Sequence, residues 1–257
     1  MNSENIILSD LSAGYRGRGV ITAAFSAVVG AGTFVCLTGR NGSGKSTLLR
    51  TIAGLLPPLS GGVSIGGQDI SRLTPAETAR KVSLVMTDRG AIAPQMTARE
   101  LCSSGRLPYT GFFGRLTERD ERIVEKAMTL TGAEELTARR VGSLSDGEWQ
   151  RVMIARALTQ ETPVILLDEP TAFLDIEGKA AAFALMSRLA REEGKIVIAA
   201  THDIAAAIRY ATDVWTLSRG ESPVCDTVES LTASGRLSIL LGDAGTFDNN
   251  SLHHSAS

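Results

Sequence analysis

Short runs that are apolar at every position alternate along this chain with stretches whose apolar residues return every three or four positions. The runs at 34–38, 82–86, 164–167 and 196–200 read as strands buried on both faces, and the segments at about 46–53, 176–192 and 204–211 as helices between or after them. That alternation predicts an α/β fold with a parallel sheet covered by helices. Ahead of it, 6–11 and 24–29 read as early strands and are expected to form a separate N-terminal antiparallel sheet. From about 88 to 160 the alternation breaks down. Thr97 opens one helical stretch, Thr117 with Asp120 caps another that runs to Leu130, and the apolar positions of 149–158 recur at helical spacing. A helical arm inserted in the core is expected there. The Pro-Pro-Leu-Ser-Gly-Gly stretch at 57–62 reads as a turn rather than a linker. Beyond Gly242 the chain turns to Gly, Asp, Asn and Ser, so 1–242 is expected to be the folded unit and 243–257, with His253 and His254, a disordered tail.

Composition narrows the setting. The chain has 257 residues, 43% hydrophobic and 21% charged, which suits one folded unit. A net charge of −2 offers no general basic surface, so no nucleic-acid partner is expected, and Arg139-Arg140 reads as a solvated helix end. No run approaches the roughly 20 apolar residues of a membrane span, and residues 1–10 lack the layout of a secretion signal. A cytoplasmic location follows as an expectation. Cys36, Cys102 and Cys225 are isolated and form no metal-ligand spacing.

Three segments carry chemistry. Gly39, Arg40, Asn41, Gly42, Ser43, Gly44, Lys45 and Ser46 fit G-x-x-x-x-G-K-[ST] between an apolar run and a helix-like run that opens at Thr47. A bare match would arise by chance in about 1% of chains this long; the strand before it and the helix after it make the reading specific. Glycines let successive N–H groups turn onto anionic oxygens, Lys45 supplies a point charge for the β- and γ-phosphates, and Ser46 offers a hydroxyl to Mg²⁺. ATP and Mg²⁺ are therefore the expected ligands. The run 164–167 ends in Asp168 and Glu169. Asp168 would help hold Mg²⁺ through water, and Glu169 would accept a proton from the attacking water; the plainer alternative is a surface turn with two solvated acids. Third, Leu144-Ser145-Asp146-Gly147-Glu148 precedes the helical run at 149–158, so Ser145 sits where a helix begins and makes a second anion site. With one triphosphate cradled at 39–46, that second site is most useful to another copy of the chain.

With these residues the sequence resembles the nucleotide-binding subunit of an ABC transporter, whose signature motif is usually written LSGGQ. The resemblance implies an ABC-type P-loop core and further roles. Tyr15 would stack on adenine, Asp175 would be the acid that couples two sites, and His202 would contact the γ-phosphate, joining Lys45 and Glu169 in catalysis. Ser145 and Gly147 would bind the ATP held by the other copy. Where the family has a glutamine reaching the metal after the strand at 82–86, alignment puts Thr87. Asp146 stands for a glycine and Glu148 for a glutamine, and negative charge near a γ-phosphate is unfavourable unless the side chains point away. The segment 105–116, followed by Asp120, resembles the arm of ATPases serving importers of iron–siderophore complexes, haem and cobalamin. The implied partners are a second copy, membrane permease subunits and, indirectly, a periplasmic or surface substrate-binding protein, with the chain peripheral on the inner face of the membrane. Two further readings are a regulatory ABC protein and an ABC protein acting on ribosomes or DNA; a P-loop kinase would lack 144–147 and His202.

Overall fold

A computed structural model describes residues 5–86, 93–110 and 114–234. The tail at 243–257 lies outside the described residues. The long strands β1 (Asn5–Tyr15) and β2 (Gly19–Gly30) form a hairpin, β3 (Phe34–Thr38) leads into α1 (Lys45–Ile52), and β4 (Ser60–Ile65) and β5 (Gln68–Asp69) return to the hairpin. These give an antiparallel sheet of order β2-β1-β4-β5. After α2 (Pro75–Ala79) and β6 (Val82–Val85) come the arm helices α3 (Ala98–Ser103), α4 (Glu118–Leu130) and α5 (Asp146–Thr159). The chain then alternates through β7 (Val164–Asp168), α6 (Ile176–Arg191), β8 (Ile196–Ala200), α7 (Ile204–Tyr210) and β9 (Asp213–Thr216), and ends in β10 (Val224–Thr227) and α8 (Val228–Ala233). The second sheet has the order β10-β9-β3-β8-β7-β6, parallel throughout except at β10.

The two-residue period of a strand divides this sheet's side chains between two cores. Phe34, Cys36, Ile165, Leu167, Val197 and Ala199 pack with the arm and α6. Their neighbours Val35, Leu37, Val164, Leu166, Ile196 and Ile198 pack with α1 and the antiparallel sheet. Burial on both faces is why these strands are apolar at every position.

Strand β1 runs past Leu11, where the sequence pattern stops being readable. Asp10 takes φ 45° and the pairing register shifts between Leu8 and Leu11, a bulge that keeps Leu11 and Ala13 in the core. Helix α2 was not legible from periodicity because it buries none of its residues; its signals are Pro75 and the capping box between Thr74 and Glu77.

The arm is tied to itself. Thr97, Thr117 and Ser145 each begin a helix with a reciprocal capping box, and Asp120 does the work of the usual Glu, its Oδ2 lying 2.9 Å from the Thr117 nitrogen. Arg106, 3% exposed, donates from Nε to Asp120 Oδ1 at 2.8 Å and from Nη1 to the Thr159 carbonyl at 2.8 Å and Glu161 at 2.9 Å. The Tyr109 ring lies 4.2 Å from its guanidinium carbon, and the Tyr109 hydroxyl donates to the Gln160 carbonyl. Gly105 is required at this joint, since a Cβ there would sit 2.5 Å from the Arg156 carbonyl oxygen. Residues 105–110 are thus bolted to the end of α5; Phe112 and Phe113 lie outside the described residues.

Candidate functional site

Strands β3, β8 and β7 are neighbours, so their carboxyl ends bring three distant segments together: 39–46, 201–203 and 168–169. Gly39, Gly42 and Gly44 take φ of 142°, 77° and 108°, which L side chains rarely adopt. A Cβ on Gly39 would approach the Leu217 carbonyl oxygen to 2.3 Å, and one on Gly44 would approach Ile21 Cγ2 to 2.5 Å. Arg40, Asn41 and Gly42 form the exposed rim of the loop, while Ser43, Lys45 and Thr47 are buried.

Lys45 turns back on its own loop, donating to the Gly39 carbonyl at 2.9 Å and the Arg40 carbonyl at 3.4 Å. Burial lowers its pKa, against the pull of Glu169 and Asp168. The buried hydroxyls of Ser43 and, from β2, Thr22 have no hydrogen-bond partner among the described residues. Asp168 is 7% exposed; burial pushes its pKa up while a hydrogen bond from Ser46 works the other way. The next residue leaves the strand alternation. Glu169 sits at φ 50°, a conformation costing about 1–3 kcal/mol in a non-glycine residue, held by its N–H on the Ala200 carbonyl at 3.1 Å. Its carboxylate meets His202 Nε2 at 2.6 Å. One acid therefore points into the loop–helix junction and the other toward the histidine.

The remaining expected residues fall around this centre. Tyr15 is half-buried at the end of β1, opposite Gly19. Asp175 caps α6, accepting from the Gly178 N–H at 2.7 Å. Thr87 lies outside the described residues. Ser145 caps α5 and is exposed, and a Cβ built on Gly147 would lie 3.4 Å from the Phe173 carbonyl oxygen, in the segment between Glu169 and Asp175. Of the two unusual acids of this motif, Asp146 is exposed and Glu148 is folded back. Glu148 accepts the Ser145 N–H at 2.8 Å and pairs with Arg139, which also donates to the Ser143 carbonyl at 2.8 Å. Arg139 is thus no solvated helix end: it lies beyond the short turn Glu134–Leu136, with its guanidinium engaged on both sides of the motif.

A strand, glycine loop and helix delivering a lysine, beside two acids and a histidine, is an arrangement for holding and hydrolysing a polyphosphate. The family model described as ABC transporter matches residues 9–172. The chain belongs to the ABC transporter family. Membership makes it an ATP-binding, ATP-hydrolysing cassette. An uncharacterized ABC transporter ATP-binding protein, MJ0873 of Methanocaldococcus jannaschii, is 42% identical over 79% of this chain and 69% of its own length. The cobalamin import ATP-binding protein BtuD of Halobacterium salinarum is 41% identical over 74% of the chain, which spans only 47% of that protein. The ferric enterobactin transport ATP-binding protein FepC of Escherichia coli is 39% identical over 82% of the chain and 77% of its own length. Among solved structures, the ATP-binding cassette MJ0796, a dimer in a post-hydrolysis state bound to ADP and Pi, has a TM-score of 0.76 and 28% identity over 87% of this chain and 98% of that one.

Two features of this ABC cassette escaped sequence reasoning. Thr22 reaches the loop from another sheet, and no local signal marks it. Arg139 was detectable in part, because Ser145 and Glu148 stand at capping-box spacing and so direct Glu148 backward.

Proposed function

We propose that this chain is the ATPase subunit of an importer and powers uptake of an iron chelate, a siderophore complex or haem, through a membrane permease. The observation that carries the catalytic part is the strained Glu169, held 2.6 Å from His202 at the strand ends beside Lys45 and Asp168. Backbone strain held in place by surrounding structure clusters at functional sites, and of the strained residues Glu169 is the one whose carboxylate meets a histidine at the strand ends. In this reading Lys45 exchanges its carbonyl partners for the β- and γ-phosphates, and the glycine loop, Thr47 and the unpartnered Ser43 hydroxyl complete the cradle. Tyr15 stacks on the adenine. Glu169 takes the proton of the attacking water, and His202 orients it and touches the γ-phosphate. The Ser46 hydroxyl and the buried Asp168 are the hard oxygen donors that Mg²⁺ prefers, so the site fits that ion; Thr87, which stands in sequence where the family has its metal-reaching glutamine, is the third proposed contributor. When bound, Mg²⁺ would neutralise charge on the phosphate oxygens.

Two copies complete the site in this reading, each offering Ser145 and Gly147 to the nucleotide of the other, with Asp175 between. Its support is the surface beside Asp175, where Phe173 is 50% and Ile176 87% exposed, apolar area of the kind that marks an interface. The permease would dock in an apolar cavity of about 690 Å³ between the nucleotide core and the arm, lined by Leu55, Ile70, Leu73, Leu84, Leu107 and Pro108. Leu55 and Leu107 stand exposed at its edge. No helix among the described residues is long and apolar enough to cross a membrane, so attachment would be peripheral, at the inner face. A periplasmic or surface binding protein would deliver the cargo. The likeness to FepC favours an iron chelate, and the likeness to BtuD makes cobalamin the second reading. Deleting the gene should abolish growth on chelated iron while ferrous iron rescues it; normal uptake of every iron chelate, with cobalamin uptake lost, would transfer the assignment to cobalamin.

A further inference from the structure

The helix that would meet the partner's triphosphate opens with Ser145 and carries the acid Glu148 in its first turn. An unrestrained carboxylate there would repel the anion it is meant to help bind. Its two oxygens are instead both engaged, Oε2 by the Ser145 N–H and Oε1 by Arg139. Arg139 spans the motif, since its other terminal nitrogen donates to the Ser143 carbonyl. Its backbone is fixed as well: the Arg139 carbonyl accepts the Ala98 N–H at 2.9 Å, and two residues on the Val141 N–H donates to the Met96 carbonyl at 2.8 Å. The guanidinium is therefore presented from a pinned segment, braced on the start of α3.

We propose that Arg139 is a positioning residue which holds the Glu148 carboxylate in the α5 cap, so that this helix start can accept the triphosphate bound by a second copy. The assignment rests on the composite-site reading above. Stability alone does not account for the pair: Arg139 is 43% and Glu148 21% exposed, and ion pairs at such exposure add little to folding. What the pair supplies is direction and neutralisation of a charge. Hydrogen bonds from Ser145, with Arg139 adding to them, hold the Glu148 carboxyl below the usual carboxylate range, which favours its charged form. Arg139 then has a charge to restrain.

The test uses the full chain with Glu169→Gln as the trapped background and follows ATP-dependent dimerisation by sizing chromatography. Adding Arg139→Ala should raise the ATP needed for half-dimerisation about threefold to tenfold, the scale of one partly screened charge near a polyphosphate. Adding Glu148→Gln to that variant should return it to within about twofold of the background, because the carboxylate that needed restraint is gone. Arg139→Lys should recover part of the loss. In the wild-type background the same series should move KM for ATP with little change in kcat, and melting temperatures should stay together. If the double variant is as weak as Arg139→Ala, the arginine acts by itself and the assignment falls; it falls equally if Arg139→Ala dimerises normally. A Glu169→Gln chain that stays monomeric with ATP would overturn the composite site and this assignment with it.

Discussion

Two buried groupings of cations and carboxylates, one around Arg106 in the arm and one around Lys45 at the phosphate loop, use similar residues and end in opposite conditions. Arg106 has its partners within the fold: Asp120, Glu161, the Thr159 carbonyl and the Tyr109 ring. Lys45 bonds only carbonyls of its own loop among the contacts described, with the unpartnered hydroxyls of Ser43 and Thr22 also buried in this region. The carboxyl groups differ in the same sense. Hydrogen bonds from Thr117, joined by Arg106, lower the pKa of Asp120, whereas burial raises that of Asp168. A buried polar network that is complete within the chain is a structural joint; one left incomplete is poised for a ligand that brings the missing charges.

The contrast is broken most severely at Glu169. Glu169→Gln keeps shape but removes the proposed proton acceptor, so turnover should fall about a thousandfold while ATP binding and the melting temperature hold, as read by phosphate release and nucleotide titration. Turnover within tenfold of wild type would remove Glu169 from catalysis.

Next come the two cations. Arg106→Ala leaves Asp120 buried beside no cation and should cost about 3–5 kcal/mol in urea unfolding. Lys45→Ala should shift unfolding by less than about 1 kcal/mol, yet abolish ATP binding. Similar losses of stability in both variants would mean that the loop is as much a structural joint as the arm.

The acids should show opposite signs against pH. Asp120 has its pKa depressed in the fold, so its stabilisation is present above the ordinary carboxylate pKa and is lost as pH falls through the lowered one. Asp168 has its pKa raised, so its ionisation destabilises the fold as pH climbs through the raised value. At neutral pH Asp120→Asn should therefore lower stability and Asp168→Asn raise it, with both differences fading in acid. Equal signs in a pH series of unfolding midpoints would contradict the contrast.

The smallest effect concerns Gln150, fully buried in α5 with neither amide atom hydrogen-bonded among the described residues. Gln150→Met should raise stability by about 1 kcal/mol, since an unsatisfied buried amide is removed. A loss instead would show that the amide has a partner in solution.

Much of this architecture was legible because its causes are local. Runs such as 164–167 announce strands covered on both faces, the glycines of 39–44 announce a backbone that side chains cannot follow, and Thr97 and Thr117 announce helix starts within three residues of themselves. The short α2 and the strands β9 and β10 offered no such stripe, since each is placed by what it packs against. Likewise nothing near Glu169 in sequence foretells φ 50° or a histidine 33 residues on at 2.6 Å; adjacency of β7 and β8 imposes both. Thr22 reaches the loop only because one core joins the two sheets, and Arg139 reaches Glu148 only because its backbone is pinned to the start of α3. The sequence by itself determined the segments and their chemistry, which depend on neighbours a few residues away. Which carboxylate is restrained, strained or left to a ligand was decided by tertiary structure, because a charge's condition depends on every group packed around it, whatever its distance along the chain.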